Sequence, residues 1–176
     1  MSLRTTALAG ALSLALAPCA RAAEPSPHFA PLKPMLARTW RASLPAAASE
    51  KPKTDVQRWE LILNGQAVRV MHSINDGDYG GESIIVWDQE KKSLVFYYFT
   101  TAGFYTTGTA HVEDGALVAL ETVKGDAEGI SQVKSVQRVL PDGRLHVKTE
   151  YLKKGAWTAG RDMYYSEAPG AEVRFK

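Results

Sequence analysis

Cysteine is almost missing from this chain. There is one in 176 residues, Cys19, and it lies in an N-terminal stretch that reads as removable. A disulfide framework is excluded on that reading, and so are cysteine nucleophiles and cysteine metal ligands in the mature protein. An excess of one charge sign is missing too. The chain has 21 basic and 19 acidic residues, and Arg4 and Arg21 are the charged residues of 1–22, so 23–176 carries 19 of each sign. Zero net charge gives no global attraction to nucleic acid or to an anionic membrane. No apolar run is long enough for a transmembrane span, the longest being 7–17. No helical period of useful length follows it, which argues against βαβ units. Catalytic signatures are equally scarce. There is no Gly-x-Ser-x-Gly elbow. His28, His72, His111 and His146 are far apart, with no His-x-His or Glu-x-x-His spacing for a metal. No catalytic residue and no metal ligand is assigned, and enzymatic activity stays open.

The first 22 residues read as a signal peptide. Arg4 supplies the positive start, 7–17 the apolar stretch, and Ala20-Arg21-Ala22 the small residues that a signal peptidase reads. Cleavage is expected after Ala22 or Ala23, which makes the protein periplasmic or secreted. Cys19 follows Pro18 where a lipoprotein site wants a small residue, so lipid attachment is not expected. Residues 23–35 hold Pro25, Pro27, Pro31 and Pro34 and read as an extended leader, with one helical turn at 35–37. A single domain over 36–176 follows, with a loose connection at 45–54.

Turn signals and strand-forming residues dominate that domain. Asn64-Gly65, Asn75-Asp76-Gly77, Asp114-Gly115, Pro141-Asp142-Gly143 and Lys154-Gly155 separate segments rich in Val, Ile, Thr, Tyr, Phe and Trp. This rhythm predicts hairpin-linked antiparallel strands. Ten are expected, at 38–44, 55–63, 66–74, 82–88, 93–101, 104–113, 116–123, 130–139, 144–152 and 156–167. Consecutive hairpins of this kind close most simply into an all-β, up-and-down barrel.

Alternation assigns the faces. Leu145, Val147, Thr149 and Tyr151 are expected inside, as are Trp59, Leu61 and Leu63. Val68, Val70, His72 and Ile74 share a face, which puts a histidine among apolar neighbours. Trp157, Ala159, Arg161, Met163 and Tyr165 are read as one face of the last strand. The run 94–105 does not alternate: both faces are apolar or aromatic, and Gly103 breaks it. The outer face needs cover from the leader, from a loop or from a second copy in a homodimer.

Leu36-Ala37-Arg38-Thr39-Trp40 resembles the Leu-x-Gly-Thr-Trp opening of calycins, the superfamily of lipocalins, fatty-acid-binding proteins and nitrobindins. The family's glycine is replaced by Arg38. Gly80-Gly81-Glu82-Ser83-Ile84-Ile85-Val86-Trp87-Asp88, then Phe96-Tyr97-Tyr98-Phe99 and Gly103-Phe104, are similar to bacterial lipocalin-like proteins. The resemblance implies a calycin-like barrel whose base is plugged by Trp40, with Arg161 of the last strand packed across it. A guanidinium over an indole combines stacking with cation–π attraction.

The aromatic stock is large for one small domain, and such groups with a few polar anchors line cavities for apolar molecules. The expected ligand-binding residues are Trp59, His72, Trp87, Tyr98, Thr106, Gln137, Arg161 and Tyr165. The function expected is non-covalent binding of a small hydrophobic or amphipathic molecule inside the barrel. The alternatives are a barrel isomerase or cyclase using His72 or a tyrosine to move protons, haem held by His72, and an interaction protein whose barrel is filled. No cofactor is otherwise expected.

Overall fold

The computed structural model describes residues 24–44, 52–124 and 129–176. The signal segment with its cleavage site, Cys19, and most of the 45–54 connection lie outside the described residues. Ten strands form: β1 Arg38–Leu44, β2 Lys53–Ile62, β3 Ala67–Ile74, β4 Tyr79–Asp88, β5 Ser93–Thr100, β6 Tyr105–Glu113, β7 Ala116–Thr122, β8 Ile130–Val139, β9 Leu145–Lys153 and β10 Ala156–Glu167. They close into one antiparallel barrel in which each strand pairs with its neighbours in sequence and β10 returns to β1. No described helix is long and apolar enough to cross a membrane.

The turn chemistry explains the connectivity. Asp114-Gly115 and Lys154-Gly155 are two-residue links whose members all have positive φ, the geometry that matches the twist of the strands they join. Gly103, at φ +82, sits in the hairpin between β5 and β6, where its N–H donates to the Thr100 carbonyl at 3.1 Å.

The leader is not extended. Pro27–Leu32 forms a 3-10 helix, with proline in its first turn where a missing N–H costs nothing. Phe29, Leu32 and Met35 turn into the barrel and join Trp40, Val68, Leu94, Leu117 and Leu145 in the core. The leader is held at both ends. The Ser26 N–H donates to the Gly65 carbonyl at 2.9 Å, and the Trp40 indole N–H donates to the Met35 carbonyl at 3.3 Å. Gly65 is required here because a Cβ would lie 2.7 Å from Pro25. Burial of three large apolar side chains repays the ordering of this proline-rich segment, at about 1.5–3 kcal/mol each. The leader therefore closes one end of the barrel, and the domain begins before residue 36.

Two face assignments change. Leu61 sits at the rim and Leu63 in the following turn, both exposed. In β10 the pairing with β9 shifts register between Ala159 and Asp162. This bulge at Gly160-Arg161 flips the alternation: Met163 and Tyr165 stay buried, whereas Trp157 is 47% exposed outside. An inserted residue breaks a period-2 argument at the point of insertion. The outer face of β5 and β6 keeps an uncovered aromatic row, Tyr97, Phe99 and Tyr105, with ring centroids 6.5 and 6.0 Å apart along it. The leader does not cover it, because it is spent on the barrel's end. The C-terminal tail instead runs back along the outer wall, where the Arg174 N–H donates to Ser73 Oγ at 3.1 Å.

The barrel's seam is short. β1 and β10 pair only through Trp40 with Glu167 and Arg41 with Ser166, whereas β1 and β2 pair along all of β1. Beyond the seam, toward the end opposite the leader, a concavity opens between Leu44, Ile74 and Tyr79 on one side and Gly160–Met163 on the other.

Candidate functional site: the polar mouth of the barrel cavity

Alternation along ten strands gives the interior two layers. Near the leader the inward side chains are Trp40, Leu94, Leu117 and Leu145, and they fill that end. Farther along the same strands the inward positions enclose a cavity of about 350 Å³. Its apolar wall includes Trp59, Val70, Ile85, Phe96, Ala119 and Val147. Its polar wall lies at the open end and includes His72, Tyr79, Tyr98, Glu121, Tyr151 and Arg161. A barrel of this strand number can fill completely or hold one small ligand; here the leader fills one half and the other half stays open.

The polar wall is wired together across strands. Asp55, at the start of β2, is 4% exposed. Its carboxylate accepts from the Tyr165 hydroxyl at 2.9 Å and lies 3.3 Å from His72 Nδ1. The second ring nitrogen, Nε2, lies 2.7 Å from the Tyr98 hydroxyl, which is 3.2 Å from that of Tyr79. A carboxylate at Nδ1 wants a proton there, which leaves Nε2 as the acceptor for Tyr98 while the ring is neutral. Burial is the main reason that the Tyr98 hydroxyl is held far above the ordinary tyrosine range, followed by Tyr79 and nearby Glu121 and Asp55. Tyr165 is shifted the same way, by burial first and then by Asp55. Both phenols therefore stay protonated at neutral pH.

Glycine lets Tyr98 reach His72, since one strand lies between them. His72 pairs in register with Gly81 of β4, next to Tyr98's own strand β5. A Cβ at Gly81 would collide with the edge of the Tyr98 ring and with the Phe99 carbonyl oxygen. The ring lies flat over the bare backbone and carries its hydroxyl across β4. Gly108 does the same for Phe96, whose ring occupies the space that a Cβ would need.

On the other side of Tyr98, Thr106 is its register partner on β6. The Thr106 hydroxyl donates to Glu121 Oε1 of β7 at 2.5 Å. Burial pushes the Glu121 carboxyl above its usual range, and the Thr106 hydrogen bond opposes this only partly. Among the described residues no buried side-chain polar atom lacks a partner. Glu121 Oε2, which Thr106 does not engage, therefore opens on the cavity.

The expected site residues divide as follows. Trp59, His72, Tyr98, Gln137 and Arg161 line the cavity together. Thr106 is buried behind Glu121, and Tyr165 behind Asp55. Trp87 stands away from the cavity toward the plugged end, where its ring stacks on His28 at 3.6 Å. The guanidinium over Trp40 is that of Arg38, 5.8 Å from the ring centroid, and not that of Arg161. Arg38 reaches the indole from the same strand. The bulge at Gly160 carries Arg161 to the open end instead, where it borders both the cavity and the gap beside the seam.

Sequence reasoning missed Asp55, Tyr79 and Glu121. Two of them were signalled. Asp55 and Gln57 precede Trp59 at period 2, on a face already read as inward, and Glu121 follows the apolar Leu117 and Ala119 at period 2, a face that alternation marks as inward although no assignment was made for it. Among the described residues no cluster of three or more His, Asp or Glu is arranged to hold a metal ion. No protein-family model matches the chain, and no curated protein matches it.

Proposed function

We propose that the protein is an exported binding protein for a small hydrophobic or amphipathic molecule, held in the barrel with its apolar part toward the leader and its polar part at the mouth. The observation that carries this reading is the two-layered cavity: a wall toward the leader that is mostly apolar, with Gln137 among it, and His72, Glu121, Arg161 and three tyrosines gathered at the open end. The size fits one small ligand, near the lower end of ordinary binding sites. A ligand with the apolar area of one aromatic side chain, about 200 Å², gains roughly 5 kcal/mol from burial before ordering costs. Micromolar binding needs about 8 kcal/mol, so hydrogen bonds from the mouth have to supply the remainder and thereby set orientation. Haem fits this site poorly through His72, since both of its ring nitrogens already face partners.

The test is a hydrophobic fluorophore titrated into the purified protein, alongside mass spectrometry of material released from natively purified protein. Saturable binding is expected. Ala119→Trp, which fills the cavity from β7, should weaken it at least tenfold while leaving the fold intact. Well-folded protein that binds no apolar probe, or binds it equally after Ala119→Trp, overturns the reading.

A further inference from the structure

The mouth carries more than binding requires. It holds a hydroxyl donor that burial keeps protonated, an imidazole–carboxylate pair behind that hydroxyl, and a carboxylate with one oxygen open to the cavity. Tyr98 and Glu121 flank Thr106 on successive strands, so donor and carboxylate are fixed by the same hydrogen-bonded ladder. Oxyanion stabilisation calls for donors aimed at where charge develops, and the Tyr98 and Tyr79 hydroxyls converge 3.2 Å apart on the cavity wall. General base catalysis requires a carboxylate within reach of the proton it removes.

We propose that this mouth layer moves a proton at the carbon next to the carbonyl of a small apolar ketone held in the barrel. This rests on the cavity being a ligand site, as argued above. Glu121 Oε2 takes a proton from the α-carbon. The electron pair of that C–H bond forms the carbon–carbon double bond of an enolate, and the carbonyl π pair moves onto oxygen. That oxygen accepts hydrogen bonds from Tyr98 and Tyr79. Glu121 then returns its proton to the same carbon, or to the γ-carbon of a β,γ-unsaturated ketone, which shifts the double bond. No electrons are gained or lost overall and no co-reactant is consumed.

His72 and Asp55 are positioning residues in this scheme. A neutral His72 accepts the Tyr98 proton at Nε2 and keeps that donor turned away from the ligand. A protonated His72 donates at both nitrogens, to Asp55 and to the Tyr98 oxygen, and so frees the Tyr98 O–H for the enolate. The groups facing these two side chains are Asp55 of β2, Tyr79 of β4 and Tyr98 of β5 at His72, and Thr106 of β6 at Glu121; Tyr151 of β9 and Arg161 of β10 share the cavity. The rate should therefore rise with pH as Glu121 ionises.

The experiment follows loss of the α-proton signals of 2-tetralone by proton NMR in deuterium oxide, with the purified protein, across pD 5 to 9. Saturable exchange above the buffer rate is expected, rising with pD as Glu121 ionises. Glu121→Gln should slow it on the order of a hundredfold. Tyr98→Phe should slow it as well, His72→Gln should lower the exchange rate at saturation without changing the 2-tetralone concentration that half-saturates it, and Thr106→Ser, which keeps the hydrogen bond to Glu121, should retain exchange. Folding of each variant is checked by near-ultraviolet circular dichroism, and occupancy by displacement of the hydrophobic fluorophore. Displacement with no exchange above that of Glu121→Gln overturns the proton-transfer proposal and leaves the binding reading standing. Fluorophore binding that 2-tetralone fails to displace overturns it too. Failure of both probes to bind well-folded protein overturns both readings.

Discussion

Asp55 offers the sharpest measurement, because its removal and its neutralisation should differ by a predictable amount. The carboxylate is buried and serves the Tyr165 hydroxyl at 2.9 Å and His72 Nδ1 at 3.3 Å. Asp55→Asn keeps one carbonyl oxygen for His72 Nδ1–H. Its amide can donate to the Tyr165 oxygen, since a hydroxyl can turn from donor to acceptor. The number of hydrogen bonds is conserved and only the charge assistance is lost. A bond to a charged group contributes about 1.5–3 kcal/mol against about 0.5–1.5 for a neutral one, and relief of the buried charge offsets part of the difference. The expected cost is about 1 kcal/mol. Asp55→Ala leaves the buried Tyr165 hydroxyl and the partly buried His72 N–H without an acceptor, at about 1–3 kcal/mol each, so its cost should be about 4 kcal/mol. In a domain of this size those values correspond to roughly 3 °C and 12 °C in Tm. Urea unfolding followed by tryptophan fluorescence measures both. The same pair in a Tyr165→Phe background separates the two donors: with the phenol gone, Asp55→Ala should cost about 2 kcal/mol less. Equal costs for Asn and Ala, or an Ala cost unchanged by Tyr165→Phe, would refute the network as drawn.

Two further outcomes test other parts of the fold. Burial raises the Glu121 carboxyl above the ordinary carboxylate range, so the native state binds its proton more tightly than the unfolded chain does. The stability this contributes is fully present below about pH 4 and declines as pH rises through the folded-state pKa, each tenfold difference in proton affinity being worth about 1.4 kcal/mol. Glu121→Gln should thus gain stability over the parent at pH 7 and lose that advantage at pH 4, as read by urea midpoints; an advantage independent of pH would show that the carboxyl titrates normally. Leu32 in the leader is fully buried against the core. Leu32→Ala should cost about 2–5 kcal/mol, as for a core leucine, and a cost near zero in urea unfolding would show that the leader is not part of the cooperative unit.

The strand pattern was legible because its signals are local. Period-2 alternation and turn residues such as Asp114-Gly115 and Lys154-Gly155 depend on neighbours in sequence, and all ten expected strands form within a few residues of their predicted places. The inward set of β9, from Leu145 to Tyr151, follows the same rule, and Gly103 marks the turn that divides the aromatic run between β5 and β6. The leader is harder to read because proline content describes backbone preference, whereas the fate of Phe29, Leu32 and Met35 depends on whether an open barrel end exists to receive them. Trp157 escapes the pattern because a bulge leaves no mark in period-2 alternation other than Gly160 itself. Which arginine covers Trp40 is likewise decided by the bulge: Arg38 lies on the indole's own strand, while Arg161 is carried to the open end.

The site divides along the same line. The sequence alone determined which side chains share a wall: His72 with Val70, Tyr98 with Phe96, Glu121 with Ala119. Alternation settles this within each strand, with no knowledge of the others. Only the tertiary structure decided which of these walls meet. Asp55, His72, Tyr98 and Tyr165 lie on four strands spread over 110 residues, and barrel closure together with the register of β2, β3 and β4 brings them within hydrogen-bonding distance. Gly81 shows the limit most clearly. In sequence it is half of a Gly-Gly pair, but in the barrel it is the gap across which Tyr98 reaches His72. That role depends on what lies on the neighbouring strands, and no local pattern encodes it.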